Sequence, residues 1–301
     1  MDRTSRLLFA FLLSLGAATA PPAARLMASP AEEPVGQHAQ QATLRPAAAE
    51  APDISFEAYD FQTEEQLLAS ANESRRQAGA PPLTIDAGLS QAARIHAQAM
   101  REARRLSHQF EGEPSLAQRL AAATELQLEQ EGENVALDYD AEHGHEHLML
   151  SPPHRANLLN PAYNVVGLGV VRNGDRLYIV QDFGSALPKY SPSEVKAHVA
   201  GAVSQTRRQA RRPELQRREW LGADDAACSM AQADKLGTAQ VLKLAESFTV
   251  LSYTSLHPEM LPGRAERVVA ARNLRSYSVG ACYGRTKSYP TGVYWVVLSL
   301  E

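Results

Sequence analysis

The sequence predicts an α+β fold: a three-layer α/β/α sandwich followed by a second, small α+β C-terminal domain. Three observations carry this. Two almost continuously apolar runs, 165–171 and 177–180, flank Asn173-Gly174, whose residues readily take positive φ, so the segment reads as an antiparallel hairpin. Strands apolar on both faces imply a sheet covered on both sides, and the amphipathic helical patterns upstream supply the covers. The length, 301 residues, exceeds the roughly 100–200 residues one core usually needs, so two folded units are expected.

The elements follow in chain order. Thr63-Glu64-Glu65-Gln66 has the form of a capping box, with Leu67, Leu68, Ala71, Arg75 and Ala78 on one helical face up to Gly79. After Pro81-Pro82, Asp86 can cap a second helix in which Leu89, Ala92, Ala93, His96, Met100 and Ala103 share a face. Ser115-Leu116-Ala117-Gln118 announces a third, residues 141–150 a fourth, and Pro152-Pro153 suits the first turn of a short helix ending near Asn160-Pro161. Beyond Trp220, a helix at 227–236 and a terminal β pair, 278–283 and 293–298, are expected.

Around this core the chain divides into an export signal at 1–20, an Ala/Pro-rich disordered spacer at 21–56, the sandwich at 57–190, a basic linker at 191–219 and the C-terminal domain at 220–301. Arg3 and Arg6, an apolar run from Leu7 to Leu15 and the small residues Gly16-Ala17-Ala18-Thr19-Ala20 make the signal. A secreted or periplasmic location is the expectation, with no transmembrane span in the mature chain. The linker carries Arg207, Arg208, Arg211, Arg212, Arg217 and Arg218, a run that reads as a solvated helix face or a tether, with a membrane surface or polyanion site as the alternative. The formal net charge of −4 argues against nucleic acid as a partner. Cys228 and Cys282 are the only cysteines; in an oxidising compartment a disulfide between them is expected, two separate buried thiols being the alternative. A faint echo pairs Arg155-Ala156-Asn157-Leu158 and Tyr163-Asn164-Val165-Val166-Gly167 with Arg272-Asn273-Leu274 and Tyr277-Ser278-Val279-Gly280, with Tyr178 and Tyr294 in the strands that follow. It leaves two readings open, chance likeness or a degenerate partial repeat without the chemistry.

Four segments together resemble the CAP superfamily (the cysteine-rich secretory, venom-allergen and plant pathogenesis-related proteins) in its bacterial branch. They are Leu67 to Arg75 with Pro82-Leu83; Leu89 to Ala93 with Ser107-His108; Gly132-Glu133-Asn134-Val135-Ala136; and Ser151 to Pro161. They end in Val166-Gly167-Leu168-Gly169 and Gln181-Asp182-Phe183. The resemblance implies a cleft where two histidines and acidic groups converge, here His108, Glu133 and His154. The further carboxylate of eukaryotic relatives is absent from Leu148-Met149-Leu150-Ser151, which leaves Glu146, Glu142 or Ser151 as candidates for the fourth place. Asn72, Arg75, His96 and Asn134 are expected as structural support, Asn134 orienting a loop that carries Glu133.

Two imidazoles and a carboxylate can hold a divalent metal, zinc or magnesium, with an open position for water. Without metal, the carboxylate makes the imidazoles a pH-responsive patch; a third reading has these side chains only fixing loops. No nucleophile elbow, Walker loop or reactive-cysteine context is present, and no residue is assigned as catalytic. The expectation is a binding module for an extracellular or envelope ligand, a lipid, glycan or protein. The alternatives are a metal-dependent hydrolase of envelope peptides or lipids, and a structural envelope protein. In Glu142-His143-Gly144-His145-Glu146-His147, His143 and His147 share a helix face and can chelate a metal, but the order is not HExxH; a solvated face is the competing reading.

Overall fold

The computed structural model describes residues 59–301; the expected export signal at 1–20 and spacer at 21–56 lie outside the described residues. The first half runs α1 (Phe61–Gln77), β1 (Thr84–Ile85), α2 (Ala87–Ala103), α3 (Leu116–Ala123), β2 (Gln127–Asp138), α4 (Ala141–Leu150), α5 (Pro152–Leu158), β3 (Val165–Asn173) and β4 (Arg176–Leu187). The strands form a four-stranded sheet in the order β1-β3-β4-β2, with β1 parallel to β3 and the other pairs antiparallel.

Helices cover both faces. Leu67 and Ala71 of α1, Leu148 of α4 and Leu158 of α5 pack on Val166, Leu168, Ile179 and Phe183. On the other side Ala93, Ala97 and Met100 of α2 meet Val135, Val171, Tyr178 and Val180. At Gly169 a Cβ would run into the backbone of Ala93 and Arg94, so α2 lies directly against β3 only because that residue is glycine.

Local signals place the helix ends. Asp86 and Asp140 accept from the third backbone N–H of α2 and α4, and the capping box at Ser115 and Gln118 is formed. The one expected at Thr63 is not. Asp60 caps α1 by accepting from Thr63 N at 3.0 Å, and Thr63 lies inside the helix, buried.

The second half runs α6 (Pro192–Gln209), β5 (Gln216–Arg217), α7 (Ala223–Ala233), α8 (Ala239–Ala245), β6 (Thr249–Ser255), α9 (Gly263–Val269), β7 (Ser276–Gly284) and β8 (Val293–Leu300). Its sheet has the order β5-β7-β8-β6, again with one parallel pair at the edge, β5 with β7. The stretch expected as a basic linker, 191–219, contains α6, whose Val195, Val199 and Val203 are buried against Tyr277, Val279 and Val296. Cys228 of α7 and Cys282 of β7 are joined by a disulfide, their Cα atoms 5.0 Å apart.

A buried arginine anchors each half. Arg75, with no exposed surface, donates to the carbonyls of Pro81 (2.7 Å), Leu158 (2.9 Å), Asn160 (2.9 Å) and Tyr163 (2.7 Å). Arg207, also buried, donates to Pro213 (2.8 Å), Val269 (2.9 Å) and Ala271 (2.5 Å). Both thereby tie the first helix of their half to the loop before β3 or β7, satisfying carbonyls that no strand can reach.

The two halves correspond in a register different from the sequence echo. β1 meets β3 at Thr84 and Val165, and β5 meets β7 at Gln216 and Ser276, which matches Gly280 to Gly169 rather than to Gly167. Gly280 accordingly approaches the backbone of Ala223 and Asp224 as Gly169 approaches α2. Tyr178 and Tyr294 are not counterparts either: Tyr178 faces α2, whereas Tyr294 faces α6 and α9. Arg272 lies beyond the end of α9 and does not match Arg155 within α5. A slip of two residues preserves the side of the sheet and so looks plausible in sequence.

Candidate functional site

The site is built on β2, whose Gly132-Glu133-Asn134 segment is strand and not the expected loop. Alternation along β2 turns Glu133 toward the α2 side of the sheet, where Asp182 stands opposite it on β4. Glu133 is nearly buried and both of its oxygens are engaged. Oε1 meets Nδ1 of His108 at 2.8 Å, and Oε2 pairs with Nη2 of Arg119. Arg119, on α3, also donates to the carbonyl of His108 at 3.0 Å and lies 3.4 Å from Oε1 of Glu113.

His108 stands at the mouth of this cluster with 61 % of its side chain exposed. Since a carboxylate only accepts, Nδ1 carries the hydrogen of the contact with Glu133 and the other ring nitrogen faces away from it. His154, half-buried on α5, is within electrostatic reach of it: burial, and then the charge of His108, hold its pKa below the ordinary histidine value. Its backbone is fixed from below. Asn134 donates to His154 O at 3.1 Å and accepts from Asn157 at 3.0 Å. Asn134 is thus a support, acting on the residue from α5 and not on a loop bearing Glu133.

The other expected supports also find partners. Asn72 donates to Leu83 O (3.0 Å) and accepts from Leu83 N (2.7 Å), pinning α1 to the segment entering β1. His96 is completely buried, with Nδ1 on Glu113 Oε1 at 2.7 Å and Nε2 on Ser107 O at 2.8 Å. With both ring nitrogens taken, it fixes the loop that presents His108 and offers no lone pair to a ligand.

None of the three candidates for the fourth place joins the cluster. Glu142 and Glu146 are exposed on α4, and neither they nor Ser151 bond or pair with His108, Glu133 or His154 among the described residues. The carboxyl beside Glu133 is Asp182. It has no exposed surface, and neither oxygen has a hydrogen-bond partner. Burial, and then the negative charge of Glu133, push its pKa well above the usual carboxylate range. Asp182 is the one carboxylate of β4 and follows the apolar run 177–180, a legible signal for it. Arg119 and Glu113 carried none, because their roles depend on how α3 and its loop fold over β2.

This geometry tests the three-residue metal set. Among the described residues no group of three or more His, Cys, Asp or Glu side chains is arranged to hold a metal ion. The reason is visible at Glu133, whose oxygens are committed to His108 and Arg119. His108, Glu133 and His154 therefore do not fit a metal as three direct ligands; only the two imidazoles remain as donors.

Residues 68–183 match the family model described as CAP, the cysteine-rich secretory protein family. Similar solved structures include an outer surface protein from Borrelia burgdorferi (20 % identity, 42 % of this chain and 94 % of that one, TM-score 0.39). Another is an extracellular SCP-domain protein from Bacillus anthracis (25 % identity, 42 % of this chain, TM-score 0.37), of which the match spans 41 %. A third is NaASP2 solved with Zn2+ (13 % identity, 45 % of this chain and 84 % of that one, TM-score 0.31). No curated protein matches the chain.

Proposed function

With residues 68–183 a CAP domain of the cysteine-rich secretory protein family, we propose that this chain is an exported, secreted or periplasmic, binding module whose cleft takes an extracellular or envelope ligand, a lipid, glycan or protein, through His108 and His154. One observation carries the choice of binding over hydrolysis. The carboxylate that would serve as general base, Glu133, already accepts a hydrogen bond on each oxygen, from His108 and from the buried Arg119, so it is built to hold His108 in place rather than to serve as a base. The exposed imidazole and the half-buried one present a polar, hydrogen-bonding surface of adjustable charge. A divalent metal in the cleft would use these two imidazoles and open water positions, with Glu133 behind His108. Among the described residues no helix is long and apolar enough to cross a membrane.

The test is mass spectrometry of material extracted from the protein recovered from its native envelope or medium, compared with a His108→Ala/His154→Ala variant. A co-purifying molecule present in the first and depleted at least tenfold in the second is the expected result. Turnover of peptide or ester libraries that disappears in Glu133→Gln would replace this reading with the hydrolase.

We also propose that the second half is a degenerate copy of the first that keeps the scaffold alone. The shared strand order, the paired arginines and the paired glycines support it.

A further inference from the structure

The run Glu142-His143-Gly144-His145-Glu146-His147, which the cleft leaves unused, is sorted by α4 into two sets. Ala141, Gly144 and Leu148 are the buried face of the helix. His145 turns inward, its Nε2 2.8 Å from Ser74 Oγ of α1. His143 and His147 stand on the outer side, one turn apart, with 57 % and 59 % of their side chains exposed and their ring centroids 6.4 Å apart.

Each of these two rings is held from behind by a carboxylate on the same nitrogen. His147 Nδ1 is 2.6 Å from Asp138 Oδ2, at the buried end of β2. His143 Nδ1 is 3.0 and 2.9 Å from the two oxygens of Asp140, which also caps α4 through His143 N at 2.9 Å. Carboxylates accept and do not donate, so in the neutral imidazole the hydrogen sits on Nδ1 and the lone pair on Nε2. This is the tautomer, with the supporting partner, that metal-ligating histidines use.

We propose that His143 and His147 form a second metal site, a two-imidazole chelate through Nε2 for a divalent transition ion such as Zn2+ or Ni2+, with Asp138 and Asp140 as its positioning residues. Two histidines four apart on a helix lie on one face, and imidazole nitrogens suit these ions. Metal–nitrogen distances of about 2.0–2.1 Å bring the rings somewhat closer than they stand, a side-chain rotation that their exposure permits. Two donors leave the remaining positions to water or to a donor on another molecule. The site is independent of the cleft reading.

Calorimetric titration of Zn2+ and Ni2+ into the full chain at neutral pH tests it, on wild type, His143→Ala, His147→Ala, Asp138→Asn and the cleft variant His108→Ala/His154→Ala. One equivalent should persist in the cleft variant, weaken at least tenfold in each α4 histidine variant, and weaken about 10–100-fold in Asp138→Asn. Thermal unfolding curves check every α4 variant, His147→Ala and Asp138→Asn above all, because both break the contact with the buried Asp138. Absence of binding in wild type, unchanged binding in both histidine variants, or loss of every equivalent in the cleft variant would overturn the proposal.

Discussion

The two halves of this molecule are built on one plan and differ where chemistry would sit. In matching positions, Glu133 opposite Asp182 becomes Val250 opposite Ser299. His154, four residues before the Leu158 carbonyl held by Arg75, becomes Ala265, four before the Val269 carbonyl held by Arg207. The buried His96 of α2 becomes the buried Ala226 of α7. The loop that carries His108, between α2 and α3, is cut short between α7 and α8. What both halves keep is the arginine, the glycine against the first covering helix, and the strand order. The fold is therefore compatible with apolar groups at the cleft positions, and the ionic cluster of the first half is an addition to it. Burying an ion pair rarely gains stability over a well-packed apolar replacement, so its presence is better explained by a task than by the fold.

The sharpest test of the shared plan is removal of the two arginines. Arg75→Ala strands four carbonyls and Arg207→Ala three, at about 1 kcal/mol or more apiece, so the variants should lose at least about 4 and about 3 kcal/mol in urea unfolding. An Arg207→Ala protein as stable as wild type would break the equivalence of the two halves.

Importing the second half's residue into the first gives a somewhat smaller effect that can be reversed. Glu133→Val leaves Arg119 buried without its partner and should cost about 3 kcal/mol, whereas Glu133→Val/Arg119→Met should return to within about 1 kcal/mol of wild type. If the double variant stays as damaged as the single, the cluster is structural and the contrast between the halves misleads.

The smallest effect distinguishes two histidines by sign. His257 of the second half lies 2.8 Å from Glu129 of the first, and that hydrogen bond raises its pKa. Its stabilisation is full below the ordinary histidine value of about 6.5 and is lost as pH rises through the raised value. His154 is shifted the other way, by burial first, so its contribution is present above about 6.5 and is lost as pH falls toward the lowered value. Replacing His257 by Gln should therefore lower Tm more at about pH 5.5 than at about pH 8. The His154→Gln comparison with wild type should run in the opposite direction. Equal shifts at both pH values would remove these groups from the linkage.

Much of this was legible in the sequence because it rests on local or periodic features. Caps at Asp86 and Ser115, prolines opening α5, and the Asn173-Gly174 turn act within a few residues, and the runs 165–171 and 177–180 are almost continuously apolar. Elsewhere a longer-range contact overrides the local signal. Thr63 looked like a cap because nothing nearby says that Asp60 will be held by Arg172 at 2.5 Å. The stretch 191–219 reads as a linker because its six arginines stand out, whereas the partners of Val195, Val199 and Val203 lie much later in the chain.

By itself the sequence determined the α+β class, the order of the helices in the first half, the hairpin and the identity of His108, Glu133 and His154 as residues worth following. Only the tertiary structure decided how they relate. It made Glu133 a committed partner of His108 and Arg119, put Asp182 beside it, excluded Glu142 and Glu146 from the cleft, and turned His145 away from His143 and His147. These outcomes depend on strand register and on which face of a helix meets the sheet, and in those the geometry of packing, not the order of residues, sets which groups touch.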